Sequence, residues 1–193
     1  FAILSAFFTL SIYFEDSRLT FRSAFNSLKS SGFNFCYLVF GLNNYNESLV
    51  QELFQLMAQT HVDFTIFFRE LSKLPNDLSD LKKSFYAPIP PQIEQHWQTW
   101  LQSWNGLIGS SGDQAEIAEK MKRMNPKYTW REWLIAPAYQ QAKQGDYALV
   151  QELQEVFSHP YEEQSQAIEE KYYRLKPDQY FNAGGISHYS CSS

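Results

Sequence analysis

Apolar residues recur along this chain at the spacing of α-helices. Leu49, Val50, Leu53, Phe54 and Met57 fall at i, i+1, i+4, i+5 and i+8, a single face at 3.6 residues per turn. Thr60 and Asp63 then form a T-x-x-D signature, predicting side-chain caps for a helix that carries Phe64, Phe67, Phe68 and Leu71 and ends at Pro75-Asn76-Asp77. Pro88, Pro90 and Pro91 predict an extended connector, because each proline pushes its predecessor out of the helical region. The cleanest amphipathic stripe follows: Ile93, Trp97, Trp100, Leu101, Trp104, Leu107 and Ile108.

Ser110-Ser111-Gly112 closes that stripe as a loop. Asp113 predicts the cap of a short helix with Glu116 early and Lys120, Lys122 and Arg123 late, the sense the macrodipole favours. Trp130, Trp133 and Leu134 begin the next helix, in which Pro137 marks either the true start or a kink. Gly145-Asp146 reads as a stop followed by an N-cap, and Leu149, Val150, Leu153, Val156 and Phe157 carry a further stripe to His159-Pro160. The stretch after Pro177 has no period and predicts irregular structure. No strand alternation competes. The expected fold class is therefore all-α: an irregular helical bundle over residues 1–182, with a non-regular, flexible C-terminal tail over 183–193.

Composition narrows the functional classes. Across 193 residues, 44% hydrophobic and 17% aromatic side chains supply a real core. A net charge of -5, with no run of Lys or Arg, argues against nucleic acid as a partner. The apolar run Phe1–Phe14 is shorter than the roughly 20 residues a membrane span needs and lacks a basic flank, so it predicts a buried core helix and no membrane partner. Two cysteines, Cys36 and Cys191, are too few for a secreted disulfide scaffold and fit a reducing compartment. The absence of an initiating Met reads as a piece of a longer protein.

Candidate chemistry is sparse. His61, His96, His159 and His188 show no H-x-x-x-H pair and no acid at ligand spacing, so no metal site is expected. Glu162-Glu163 and Glu169-Glu170 read as solvated helix faces. Trp97, Trp100, Trp104 and Trp133 read as core or domain interface. Asp63 is explained as a cap. Arg131, beside Trp130 and Trp133, can stack and bridge carboxylates across an interface, with nucleotide contact as the lesser alternative. No phosphate-binding glycine motif or kinase metal-binding set is present, so no catalytic or cofactor-binding residue is assigned. Cys36, between Phe35 and Tyr37, reads as a buried, unreactive thiol. Cys191, third from the end on a segment with few packing obligations, is the one candidate for thiol chemistry, the alternative being an inert tail residue.

Two blocks and the terminus resemble a known family. The first block contains Leu56, Met57, Asp63, Phe64, Thr65, Phe68, Arg69, Leu71 and Ser72. The second contains Asn125-Pro126, Arg131, Trp133-Leu134, Ala138, Ala142, Gly145-Asp146-Tyr147, Leu153 and Pro160-Tyr161, and Cys191-Ser192-Ser193 ends the chain. In order and spacing these resemble the carboxyl-terminal part of the selenoprotein O family, kinase-like (pseudokinase) proteins that transfer AMP from ATP to protein hydroxyls. Residues 1 to 40 match weakly, Pro137 stands where a helix former is expected, and Ala183–Tyr189 is unusual.

The resemblance implies an accessory helical domain of a protein adenylyltransferase (a nucleotidyltransferase) whose catalytic core lies upstream. This chain alone is then silent. In the parent protein the implied cofactors are ATP and Mg2+. The implied partners are the upstream kinase-like domain and proteins modified on Ser, Thr or Tyr. Cys191 stands where family members carry selenocysteine, which implies a redox role through pairing with a cysteine of the absent core. The implied location is cytoplasmic in a bacterium or mitochondrial in a eukaryote, not secreted. The rival reading is a stand-alone helical interaction module without enzymatic activity. A thiol oxidoreductase is weaker still, since C-x-x-C is absent.

Overall fold

A computed structural model describes residues 38–44 and 46–181. The predictions for Phe1–Phe14, Cys36, Ala183–Tyr189, His188 and Cys191 fall outside those residues. The fold is all-α: among the described residues the regular elements are α- and 3-10 helices, and Val62 and Phe85 form an isolated antiparallel bridge. Packing divides the chain into two compact units, Phe1–Pro126 and Lys127–Ser193.

In the first unit α1 (Glu47–Thr60) is capped by Asn46, whose side chain accepts from Leu49 N. Its expected apolar face is buried, and His61 leaves the helix with φ 48°. Asp63 caps α2 (Phe64–Leu71) by accepting from Ile66 N, as its position predicts. Thr60 does not share that task. It is the last residue of α1, and its hydroxyl donates to Leu56 O at 2.7 Å, because a threonine inside a helix reaches its own preceding turn first. All of α2 is buried, Arg69 and Glu70 included, so the helix has no solvent face.

Asp77 and Asp80 then form a reciprocal capping box on a 3-10 helix (Leu78–Ser84) that the apolar spacing does not announce. Pro91 is the first residue of α3 (Pro91–Gly109), where its missing N–H costs nothing. Asp113 caps α4 (Gln114–Met124), with Glu116 in the first turn and Lys122 and Arg123 in the last. The tryptophan stripe of α3 faces α1, α4 and the 3-10 helix. Trp97, Trp100 and Trp104 are fully buried, with Trp100 Nε1 donating to Leu49 O and Trp104 Nε1 to Phe40 O, each at 2.9 Å. Gly41 permits the close approach of α4 to residues 38–42. It has φ 69°, and a Cβ there would stand 2.5 Å from Met121 Sδ.

In the second unit α5 (Glu132–Ala142) packs on α6 (Ala148–Ser158), and α7 (Gln166–Tyr172) follows. Trp130 precedes α5 rather than beginning it; the ring is 46% exposed and lies 4.7 Å from that of Phe157. Pro137 is inside α5, so the helix does not start there, and the Trp133 carbonyl has no amide to accept from at Pro137. Gly145, at φ 87°, lets the chain turn out of α5. Asp146 accepts from Ala148 N at 3.0 Å, although Tyr147, one residue later, is the boundary residue of α6. Val150 of the predicted stripe is exposed, while Leu153 and Val156 are buried. After Pro177 a short 3-10 helix (Asp178–Tyr180) replaces the expected irregular start of the tail. No helix among the described residues is long and apolar enough to cross a membrane.

Candidate functional site

The two blocks of the sequence resemblance meet in the first unit. Arg69, from the first block, is 2% exposed and donates through Nη1 to the carbonyls of Lys122 (3.0 Å) and Asn125 (3.1 Å) at the end of α4. Asn125, from the second block, donates through Nδ2 to Ser72 Oγ (2.9 Å) and to Val39 O (3.0 Å). Ser72 Oγ in turn donates to Phe68 O at 2.7 Å. The unpaired carbonyls at the end of a helix need donors, and a buried guanidinium supplies them in a fixed fork. Glu70, also buried, takes an ion pair from Lys73 Nζ at 2.7 Å.

A second buried polar cluster holds the start of the other unit. Lys127 is 4% exposed, and its Nζ contacts carboxylates of both Glu163 and Glu169, the latter at 2.8 Å. These glutamates come from the two pairs read as solvated faces; one member of each pair has instead been drawn onto a buried cation. Glu163 is not on a helix at all but in the α6–α7 connector, since burying an ammonium requires counter-charges wherever the chain can deliver them. Nζ also lies 5.0 Å from the Tyr173 ring centre. The amides of Lys127 and Tyr128 both donate to Pro160 O, at 2.7 and 3.1 Å.

Burial is the largest influence on Lys127 and would lower its pKa, but hydrogen bonds to Glu163 and Glu169 outweigh it and leave the pKa raised. A lysine held protonated at neutral pH is neither a nucleophile nor a base there, so this cluster binds and orders the chain rather than reacting. Stability from a raised lysine pKa is fully present below the unfolded value and lost as pH rises through the folded one. The second unit should therefore hold the clasp through neutral pH and weaken in strongly alkaline solution. Lys127→Met should cost about 1–3 kcal/mol in denaturant melts, less than a fully buried pair, because Glu163 is 63% exposed and its charge is readily resolvated. It should also remove the alkaline component of the melting profile. An unchanged profile would assign that component elsewhere.

Arg131 is buried at the start of α5, with Nη1 3.5 Å from Arg174 O. The guanidinium over the Trp133 ring, at 5.4 Å, is that of Arg174. His61 and His96 are exposed. His159 does have acidic neighbours, Glu162 at 3.3 Å and Glu155 at 3.9 Å, on an exposed helix end. Among the described residues no three His, Cys, Asp or Glu side chains are grouped to hold a metal ion. Asp63, Asp77, Asp113 and Asp146 are occupied as caps, and the lysine and arginine in the buried clusters are committed to protein acceptors. These residues do not fit an ATP–Mg2+ site, and no reaction step is assigned to them.

Comparison with known proteins places this architecture. The family profile described as Protein adenylyltransferase SelO matches residues 17–158. The Protein nucleotidyltransferase YdiU of Aromatoleum aromaticum is 35% identical over 153 residues, covering 76% of this chain and 28% of the relative. Those of Methylobacillus flagellatus (34% over 152 residues, 76% and 29%) and Tolumonas auensis (36% over 153 residues, 77% and 29%) agree. The chain thus spans less than a third of the length of the relatives it matches. With a match that runs from before α1 to the end of α6, the chain belongs to the Protein adenylyltransferase SelO family.

Proposed function

We propose that this chain is an accessory helical region of a protein adenylyltransferase, and that the transfer chemistry resides in a kinase-like core outside it. The family match over residues 17–158 carries the reading. Two further observations support it: the relatives run more than three times the matched length, and the buried charged groups described above are committed to structure. In the whole protein ATP and Mg2+ serve the core, AMP is joined to a Ser, Thr or Tyr hydroxyl of another protein, and pyrophosphate leaves. The region packs on that core through its outward aromatic residues, in a bacterial cytoplasm or a mitochondrion. Cys191 closes a disulfide with a cysteine of the core, two thiols giving up two protons and two electrons to a cellular oxidant, and so restrains motion at the active site.

The test uses the protein translated from the whole reading frame. With ATP labelled on the α-phosphate and Mg2+, it should label protein substrates, and reduction should raise the rate in wild type but not in Cys191→Ser. This chain by itself should show no saturable ATP binding in calorimetry. Micromolar binding by the chain alone would overturn the location of the chemistry, and an inert whole protein would overturn the enzyme reading. The rival, a stand-alone interaction module, draws on the exposed Trp130, Tyr139, Tyr147 and Phe181 of the second unit.

A further inference from the structure

We draw no further inference here: the strongest candidate, the cleft of about 650 Å³ in the first unit lined by Leu78, Phe85 and Ile89 together with the exposed Lys82 and Glu94, carries charges of both signs that select no one class of ligand, and nothing in the structure shows what fills it.

Discussion

Trp104→Ala is expected to cost the first unit about 3–5 kcal/mol, the range for emptying a large aromatic site in a packed core. Trp104 is 0% exposed, and its ring lies parallel to Trp100 at 6.3 Å, within a chain of ring contacts from Phe67 through Trp97 and Trp100. Alanine would remove that volume from the middle of α3, beside a Trp100 ring that its own bond to Leu49 O holds in place and keeps from collapsing inward. It would also strand the Phe40 carbonyl, which accepts from Trp104 Nε1 at 2.9 Å. Trp104→Phe separates the two effects. Phenylalanine keeps much of the ring but not the donor, so its loss should sit nearer the 1–3 kcal/mol of an unsatisfied buried carbonyl. Denaturant melts of both variants measure the difference. A loss below about 1 kcal/mol for Trp104→Ala would mean that the site relaxes freely and the stack is not a rigid core.

The tryptophan stripe was legible because spacing alone puts Trp97, Leu101, Trp104 and Ile108 on one face, whatever they pack against. The caps at Asp63 and Asp113 were legible for the same local reason: each acts within three residues of itself. What spacing cannot show is how a distant segment changes a residue's environment. Glu163 and Glu169 read as solvent-facing because nothing nearby neutralises them, yet their cation, Lys127, comes from 36 and 42 residues earlier. Arg69 offered no helical partner for the same reason, since its acceptors are carbonyls 53 and 56 residues away. The signal available in advance was the charge pattern of α2, where Arg69 and Glu70 interrupt an otherwise apolar, aromatic-rich segment that has no polar face on which to put them. A charge in that position must be buried with partners. The seven-residue 3-10 helix was missed because its apolar residues, Leu78 and Leu81, are too few to define a period, although Asp77-x-x-Asp80 carried the capping box.

Arg69→Met should be among the most damaging single changes in the first unit, at about 2–5 kcal/mol. Methionine retains much of the apolar stem but none of the donors, so the carbonyls of Lys122 and Asn125 lose the Nη1 bond together, each worth about 1–3 kcal/mol when left unmade in a buried site. Arg69→Lys should rescue only part of this, because a single ammonium on a shorter stem cannot reproduce the planar fork. Asn125→Ala provides the contrast. It removes donors from Val39 O and Ser72 Oγ, but it also deletes Oδ1, a buried acceptor that no protein donor reaches. The relief offsets part of the damage, and the expected loss is about 1–2 kcal/mol. Because Arg69 and Asn125 share the end of α4, the double variant should lose less than the two single losses added together. Denaturant melts of the three variants measure that order. Equal losses for Arg69→Met and Asn125→Ala, with strict additivity, would show that the helix end is satisfied without Arg69, and that the meeting of the two blocks is contact without energetic coupling.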